Sequence, residues 1–238
     1  MRSLRRRLDA RTHIRRARHG LRTVFQPVVE LENNDCIAYE ALARFSDERS
    51  TSEWFARARE LGVGAKLELA AVAAALVHLD EIPNGAALAI NVSPAVAVSD
   101  AFFELAAPFA HRLIIELTEH EPIDDYAAVL EGLEDLRSLG ARIAVDDVGA
   151  GFASLRHILR LAPDIVKLDL SLTQGIEDDP GAHALTSALV VFAGDTGALV
   201  AAEGIETPTE LELLRALGIA HGQGYLLGRP GPLEAHLN

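Results

Sequence analysis

Short apolar runs alternate with longer amphipathic segments along most of the chain, beginning near residue 23. The runs are rich in Val, Ile, Leu and Ala, which is typical of strands that are buried on both faces. Clusters of Gly, Pro and Asn separate many of them. The pattern predicts eight strands, in chain order residues 23–31, 36–45, 87–92, 112–117, 141–146, 164–170, 198–203 and 219–225.

Helices are predicted between most of these strands, where apolar residues recur three or four positions apart. The Asn33, Asn34 and Asp35 cluster predicts a tight turn, so the first two strands form a hairpin. Gly140 stands where the C-cap of one predicted helix is expected. The predicted helices span residues 52–62, 65–78, 102–110, 124–139, 154–161, 180–196 and 208–217.

This order of elements predicts an α/β fold in which mostly parallel strands close into a TIM-like (β/α)8 barrel. The alternative is an open, doubly wound sheet, but the first strand is not followed by the GxGxxG pattern of dinucleotide-binding sheets. A length of 238 residues with 49% hydrophobic content suits one such domain. We therefore expect a barrel domain over residues 21–238, preceded by a basic helix or linker over residues 1–20.

Charge is unevenly distributed along the chain, whose net charge is −13. Residues 1–20 contain eight arginines and one acid, about +7, so the remaining chain lies near −20. Such an acidic body argues against a general nucleic-acid surface. The basic segment is interpreted as a solvated helix, with two alternatives: the end of a connection to an upstream regulatory module, or a patch for an acidic partner.

Cysteine content and hydropathy indicate where in the cell the protein is expected. Cys36 is the only cysteine, so an intramolecular disulfide is excluded and a reducing compartment fits. The sequence has no apolar run of about 18 residues that would span a membrane, and no apolar segment follows the amino-terminal arginines as in a secretory signal. These features lead us to expect a cytoplasmic protein.

The segment AVDDVGAG, residues 144–151, ends a predicted strand with two adjacent carboxylates before a glycine-rich turn. Asp146 and Asp147 would raise each other's pKa unless a cation compensates them, and a bound metal ion is a common compensation. The alternative is structural: Asp146 starts a turn and Asp147 caps the helix that begins near Ser154.

Other predicted strands end in the same way, with a polar or charged residue. In a barrel these carboxyl ends converge on one face. Any one of them could be a turn residue, a cap or a simple ion pair, but so many at one rim favour a site. The residues concerned are Glu40, Asn91, Glu116, Asp146 with Asp147, Lys167 with Asp169, Glu203 with Glu206, and Gln223.

The chemistry of these groups points to a hard cation. Carboxylates and an amide oxygen, without a Cys or His cluster, suit Mg²⁺, Mn²⁺ or Ca²⁺ rather than structural zinc. Asp146 and Asp147 together could flank two ions about 3.5–4 Å apart, the arrangement used for phosphoryl displacement. A nearby lysine could then steady an attacking hydroxide.

Ordered motifs along the chain resemble the EAL-domain phosphodiesterases of cyclic di-GMP signalling. The likeness covers roughly residues 24–232. The motifs are FQP at Phe25, EALAR at Glu40, NVSP at Asn91, IELTE at Ile115, VDDVGAG at Val145, VKLDLSL at Val166, AEGIE at Ala202 and GQGYLLGRP at Gly222.

This resemblance implies a modified TIM barrel whose first strand is antiparallel to its neighbours. It also implies hydrolysis of cyclic di-GMP to linear pGpG with Mg²⁺ or Mn²⁺, in two ion sites. The implied ligands of the first ion are Glu40, Asn91, Glu116 and Asp146. The implied ligands of the second are Asp146, Asp147 and Glu203.

The resemblance assigns further roles by position. Glu203 is the implied general base, Lys167 contacts the nucleophilic water, and Asp147 belongs to the catalytic set. Gln26, Arg44 and Gln223 are expected at the dinucleotide, with Arg44 on a phosphate. The supporting residues are Glu119, which would anchor the loop after the fifth strand, Asp169 and Glu206.

The chain departs from the family after Asp147. The family's loop usually reads DDFGTGYSSL, whereas this chain has Val148, Ala150, Phe152 and Ala153 at the varied positions. An aromatic residue and several hydroxyls are thereby lost, in a loop that helps couple homodimer formation to metal binding in the family. The alternative function is therefore an impaired domain that acts as a cyclic di-GMP receptor or a protein-interaction module. A different metal-dependent hydrolase is a third option, since barrels host many chemistries.

A second departure follows Arg44, where a proline-rich connection of the family is shortened to FSDERSTSEWFARARELG. Arg59 stands where the family often has an acid. We expect Trp54 and Phe55 to pack this helix onto the barrel, with no change at the metal site.

Overall fold

A computed structural model describes residues 10, 12–17, 19–117, 123, 125–149 and 154–237. In these residues eight strands close into a barrel in the order β1 to β8. The strands are β1 (Arg22–Glu30), β2 (Cys36–Arg44), β3 (Ala87–Val92), β4 (Leu113–Leu117), β5 (Arg142–Val148), β6 (Ile165–Leu168), β7 (Leu199–Ala202) and β8 (His221–Gly222).

Strand β1 is antiparallel to both β2 and β8, and all the other neighbouring strands are parallel. The barrel closes where Val29 pairs with Gly222 and Glu30 pairs with His221. The predicted barrel and the reversed first strand are therefore confirmed, and the open-sheet alternative is wrong.

Helices surround the barrel between the later strands. They are α1 (Thr51–Glu60), α2 (Gly64–Leu76), α3 (Pro94–Ala97), α4 (Asp100–Ala106), α5 (Tyr126–Ser138), α6 (Ser154–Leu161), α7 (Pro180–Thr196) and α8 (Pro208–Ala216). Residues 12–17 are also helical. Local signals explain several helix starts: Ser50 and Glu53 form a capping box on α1, and Asp125 caps α5. No helix in the described ranges is both long and apolar enough to cross a membrane.

Two predicted elements differ in detail from the structure. The helix predicted over residues 102–110 ends at Ala106 and continues as a 3-10 helix, Ala107–Arg112, because Pro108 has no N–H for the α-helical ladder. The eighth strand is much shorter than predicted. Beyond Gly222, the main chain of Gln223 bonds to Ala202 and Ile205 instead of extending a ladder.

Small side chains fill one layer of the barrel interior. This layer consists of Val28, Ala38, Ala87, Ala89, Ile114, Ala144, Ile165 and Ala201. Since strand side chains alternate between faces, residues two positions further along each parallel strand also point inward. Those residues are Glu40, Asn91, Glu116, Asp146, Lys167 and Glu203. The polar layer thus lies directly above an apolar floor.

A larger apolar core lies between the outer face of the barrel and the helices, and includes Leu88, Ile90, Phe102, Leu133 and Ile143. It holds the strands rigidly, because residues on the outer face of each strand interdigitate with the helices. The inward-facing polar residues are therefore carried on a fixed scaffold.

The amino-terminal helix packs against α1. Ala17 is fully buried in a cluster with Phe45 and Trp54, and the Trp54 ring stacks on Phe45 at 4.7 Å. The His13 ring lies 4.5 Å from the Trp54 ring. The described part of this segment is therefore packed on the domain, where the sequence analysis expected a solvated helix. Trp54 packs α1 as predicted.

Candidate metal centre

Lys167 is the centre of the polar layer. Its side chain is 3% exposed, and Nζ lies 2.7 Å from Glu203 Oε1, 3.0 Å from Glu116 Oε2, 3.1 Å from Asp146 Oδ1 and 3.7 Å from Glu40 Oε2. These four acids come from or directly follow β2, β4, β5 and β7. The barrel therefore brings together residues that lie far apart in the sequence, as the strand-end pattern predicted.

Two amide side chains hold the same carboxylates from the other side. Asn91 Nδ2 donates to Glu40 Oε1 at 2.7 Å. Gln223 Nε2 donates to Glu40 Oε2 at 2.8 Å and to Glu203 Oε1 at 3.1 Å. Because Gln223 follows β8, this bond ties the end of the chain's last strand to β2 and β7. Glu40 and Glu203 are thus fixed on both sides.

Asp146 and Asp147 reach the same rim although they are adjacent in sequence. The pairing of β5 with β6 shifts register between Val145 and Val148, which marks a bulge. Asp147 within it has a φ of 56°, in the left-handed region. Side chains of neighbouring strand residues normally point to opposite faces, and this bulge removes that alternation. Carboxylate oxygens of Asp146, Asp147 and Glu203 lie within 4.8 Å of one another.

The backbone after the bulge requires glycine. Gly149 has a φ of 115°, and a Cβ there would lie 2.2 Å from Leu172 Cδ1. Any other residue would therefore clash with the core as well as strain the backbone. The glycine of the sequence motif thus lets β5 end close to the segment that follows β6.

Burial and repulsion from neighbouring carboxylates raise the pKa values of two acids in this cluster, Glu203 and Glu116. Burial raises the pKa of Glu203 to about 8, although Lys167 opposes the rise. Burial also raises the pKa of Glu116 well above its ordinary value, and the neighbouring Glu40 and Asp146 carboxylates add to that rise. A single ammonium therefore does not compensate all the acids.

The pKa values of Glu40 and Lys167 shift in the directions that favour the charged forms of both side chains. Burial alone would raise the pKa of Glu40, but Lys167 and the two amides together lower it. Burial alone would lower the pKa of Lys167, but the surrounding carboxylates raise it well above its ordinary value. The charged pair of Glu40 and Lys167 is therefore the stable part of the cluster.

The donor set fits a divalent cation. Two buried oxygens, Asp146 Oδ1 and Gln223 Oε1, lack a hydrogen-bond partner in the described part of the chain. The first lies near Lys167 Nζ, at 3.1 Å, but is not aligned as a hydrogen bond. Unpaired buried acceptors are costly, and a cation with oxygen ligands would satisfy them. These two atoms are a carboxylate oxygen and an amide oxygen, donor types that suit hard divalent cations better than zinc.

Arg44 and Gln26 lie outside the acidic cluster. Arg44 lines a cavity of about 340 Å³ together with Asn91, Asp146 and Asp147. Its Nη1 donates to the main-chain carbonyl of Ala43 at 2.9 Å. Gln26 is buried, and its Nε2 donates to the carbonyl of Gly228 at 3.0 Å. The cavity places a cationic side chain beside the acids, and its guanidinium could bind an anion there.

The residues predicted to support the site lie at its edge or beyond. Asp169 Oδ1 accepts from the Ser171 N–H at 3.0 Å and caps the 3-10 turn Leu170–Leu172. Glu206 is exposed, and its Oε1 accepts from Gln174 Nε2 at 3.2 Å. Neither contacts the cluster in these bonds. Glu119 lies outside the described residues.

Glu210 is a buried acid that sequence reasoning missed. Its carboxylate accepts main-chain N–H groups of Gly175 at 2.9 Å, Glu206 at 2.8 Å and Thr207 at 2.9 Å. These bonds lower its pKa, although burial opposes them. Thr207 and Glu210 form a capping box on α8, and that T-x-x-E spacing is the signal that could have identified the residue.

The chain is similar in sequence to a known protein family. The family model described as EAL domain matches residues 7–230. The cyclic di-GMP phosphodiesterase PA2567 of Pseudomonas aeruginosa is 34% identical over 227 residues, which cover 89% of this chain and 38% of that protein. The chain spans less than two fifths of the length of the first curated relatives that it matches.

Solved structures with a similar fold include proteins bound to cyclic di-GMP. The PaMucR phosphodiesterase, in complex with c-di-GMP, superposes with a TM-score of 0.83 at 28% identity, covering 96% of this chain and 100% of that one. Klebsiella pneumoniae BlrP1, in a manganese/cy-diGMP complex, gives a TM-score of 0.78 at 30% identity, covering 89% and 56%. This chain is similar to both over nearly its whole length.

Proposed function

Because the chain belongs to the EAL domain family, we propose that it is a metal-dependent phosphodiesterase that hydrolyses cyclic di-GMP to linear pGpG. The observation that carries the proposal is the convergence of four carboxylates on the buried Lys167 at one rim of the barrel. The printed name of the PA2567 relative and the c-di-GMP in the PaMucR complex support this choice of substrate.

We assign the cation ligands as the resemblance to the EAL-domain phosphodiesterases implies. The first ion takes Glu40, Asn91, Glu116 and Asp146, and the second takes Asp146, Asp147 and Glu203. Mg²⁺ and Mn²⁺ are the proposed ions, and the manganese complex of BlrP1 supports this assignment. When bound, two such ions neutralise the negative charge of a phosphodiester and acidify water beside it.

The chain's own residues supply proton transfer and orientation. Glu203 is the proposed general base, since its carboxylate lies at the rim, within 4.8 Å of the Asp146 and Asp147 carboxylates that would hold the second ion. Lys167 Nζ lies 2.7 Å from Glu203 Oε1 and keeps that carboxylate turned into the site. In this proposal Lys167 also contacts the water that attacks phosphorus, and Asp147 completes the catalytic set.

Substrate binding is assigned to residues around the cavity. Arg44 is the proposed phosphate contact, since a guanidinium can bind two phosphate oxygens at once. Gln26 and Gln223 are proposed to contact the dinucleotide from the β1 and β8 side. The metal ions would lie between the acidic cluster and this anion, so an acidic surface is compatible with an anionic substrate.

Assembly and location are further parts of the proposal. The exposed Leu155 and Leu159 lie one turn apart on α6, at 49% and 65% exposure, and they support a homodimer through this helix and the loop after β5. The basic amino terminus is proposed to connect to a regulatory module or to bind an acidic partner. The single Cys36 supports a reducing, cytoplasmic location.

The experiment that tests the proposal compares the unmodified chain with Glu40→Ala. We expect linear pGpG from the unmodified chain with Mg²⁺ or Mn²⁺, and only background product from the variant, followed by chromatography. The matched control is Glu32→Ala, which removes an exposed acid from the turn between β1 and β2 and should retain full turnover. Normal turnover by a clean Glu40→Ala preparation would contradict the assignment. Binding of the dinucleotide by the unmodified chain without product would instead support the receptor alternative.

A further inference from the structure

A 3-10 turn, Leu170–Leu172, follows β6 on the way to α7. It begins at Asp169, whose Oδ1 accepts from the Ser171 N–H at 3.0 Å, two residues after Lys167. Its last residue, Leu172, is buried in the core. The turn is therefore fixed at both ends and lies beside two residues of the proposed active site, Lys167 and Glu203.

Thr173 follows this turn and is completely buried. Its Oγ1 donates a short hydrogen bond to the main-chain carbonyl of Glu203, and the Leu170 carbonyl lies 3.3 Å away as a second acceptor. The Glu203 N–H in turn donates to the Leu168 carbonyl at 3.2 Å. The main-chain N–H of Glu203 is thus bonded to the last residue of β6, and its carbonyl to the segment that follows β6.

The same two segments are also in close steric contact. Gly204 has a φ of 70°, and a Cβ at that position would lie 2.8 Å from Leu170 Cβ. Only glycine allows the main chain after Glu203 to approach the turn so closely. The Thr173 hydrogen bond and this contact act on adjacent residues, so together they define the path of the chain that carries Glu203.

Beyond Glu203 the chain is held again. Glu210 accepts the N–H groups of Gly175 and Glu206, and Gln174 Nε2 donates to Glu206 Oε1 at 3.2 Å. The loop after β7 is therefore bonded to the segment after β6 at residues beyond Glu203 as well. Of the side-chain bonds between the two segments, the Thr173 bond is the one made to Glu203 itself.

We infer that Thr173 is a positioning residue for Glu203. Its hydroxyl fixes the main chain of Glu203, and this places the carboxylate 2.7 Å from Lys167 Nζ and within reach of Asp146 and Asp147. The inference rests on the proposed function and deepens it, because Glu203 is there both a metal ligand and the general base. A side chain of similar shape without a hydroxyl would leave the Glu203 carbonyl without this donor.

The test uses two variants. Thr173→Val keeps the branched shape and removes the hydroxyl, whereas Thr173→Ser keeps the hydroxyl and removes the methyl group. A misplacement of about 1 Å can cost about a hundredfold in rate. We expect kcat of Thr173→Val to fall about 10- to 100-fold with KM changed by less than about threefold. Thr173→Ser should recover kcat to within about threefold of the unmodified chain.

Thr186→Val is the matched control. Thr186 is also completely buried, and its Oγ1 donates to the Leu172 carbonyl of the same turn at 3.2 Å. The control removes the same kind of hydrogen bond without touching Glu203. We expect it to reduce thermal stability about as much as Thr173→Val does, with kcat unchanged. Equal loss of kcat in both valine variants would show a merely structural role and overturn the inference.

A second readout does not depend on activity. Calorimetric titration with Mn²⁺ alone should show about tenfold weaker binding for Thr173→Val, and unchanged binding for Thr173→Ser and Thr186→Val. If Thr173→Val matches the unmodified chain in both kcat and Mn²⁺ affinity, Thr173 does not position Glu203. If the unmodified chain forms no product, the proposed function fails, and the Mn²⁺ affinities alone decide the inference.

Discussion

Lys167 Nζ and Glu203 Oε1 lie 2.7 Å apart, at the ends of two adjacent parallel strands. The same ammonium also lies within 4 Å of Glu40, Glu116 and Asp146. One positive charge therefore faces four carboxylates in a buried setting. The arrangement is stable as a group only while the ammonium is present or while other cations offset the negative charge.

Replacement of that ammonium should destabilise the metal-free protein. In Lys167→Met the acids lose their shared partner, and removal of one member of a buried ion pair typically costs about 3–5 kcal/mol. Urea unfolding in the presence of EDTA measures the change in the free energy of unfolding. Lys66→Met removes an exposed lysine from α2 and should change it by less than about 0.5 kcal/mol. Equal stability of the two variants would contradict the role given to Lys167.

A substitution of Asp147 can separate the effect of its charge on metal binding from the effect of its backbone conformation on stability. Asparagine tolerates the left-handed region at least as well as aspartate does, so Asp147→Asn should leave the free energy of unfolding within about 0.5 kcal/mol. It removes one carboxylate charge beside Asp146 and Glu203, and we expect Mn²⁺ affinity to fall at least about tenfold. Calorimetric titration with Mn²⁺ measures the loss. Asp35→Asn, in the turn between β1 and β2, is the control with unchanged affinity, and an equally unchanged Asp147→Asn would exclude Asp147 as a ligand.

The packing of the amino-terminal helix predicts a pH effect on stability. Burial lowers the pKa of His13 below the ordinary 6.5, although the hydrogen bond to the Trp54 carbonyl opposes this shift. The unfolded chain therefore binds a proton at His13 more readily than the folded chain does. Stability from this residue is fully present above about pH 6.5 and is lost as the pH falls below that value.

His13→Gln should remove this part of the pH dependence. The measurement is the free energy of unfolding at pH 7.5 and pH 5.5 in both proteins, from urea titrations. We expect a smaller loss of stability on acidification in the variant than in the unmodified chain. An identical loss in both proteins would mean that His13 is not held neutral against Trp54 in solution.

The polar layer could be predicted from sequence because the rules involved are local. Along a strand every second side chain points into the barrel. The carboxyl ends of all the parallel strands lie at the same rim of the barrel. Glu40, Glu116 and Lys167 each follow an inward apolar residue by two positions, so their meeting follows from strand positions alone.

Features that depend on irregular backbone could not be predicted in the same way. The bulge that brings Asp147 to the rim changes a single pairing between β5 and β6, and no residue pattern reports such a register shift. Asp169 and Glu206 follow strands as the other site residues do, but local bonds to Ser171 and Gln174 engage them at the edge. Polar side chains on regular strands are therefore easier to predict as a group than those in the loops beyond them.

In the amino-terminal helix the many arginines obscure a weak pattern of buried residues. Its arginines predicted a solvated segment, yet Ala10, His13, Ile14 and Ala17 recur at helical spacing and form the packed face. A stripe of alanine and histidine has little hydrophobic contrast, so the charge dominated the interpretation. The partner of that face, Trp54, lies far along the chain and is identified only in the fold.

The most direct test of the account is metal-dependent turnover of cyclic di-GMP by the complete chain. The protein would be stripped with EDTA, and Mg²⁺ or Mn²⁺ would then be added back while linear pGpG is followed by chromatography. The account predicts no product without metal, restored product with either ion, and a rate at least about a hundredfold lower in Glu203→Gln. Product formation in the stripped protein, or bound dinucleotide that stays intact at saturating metal, would contradict it.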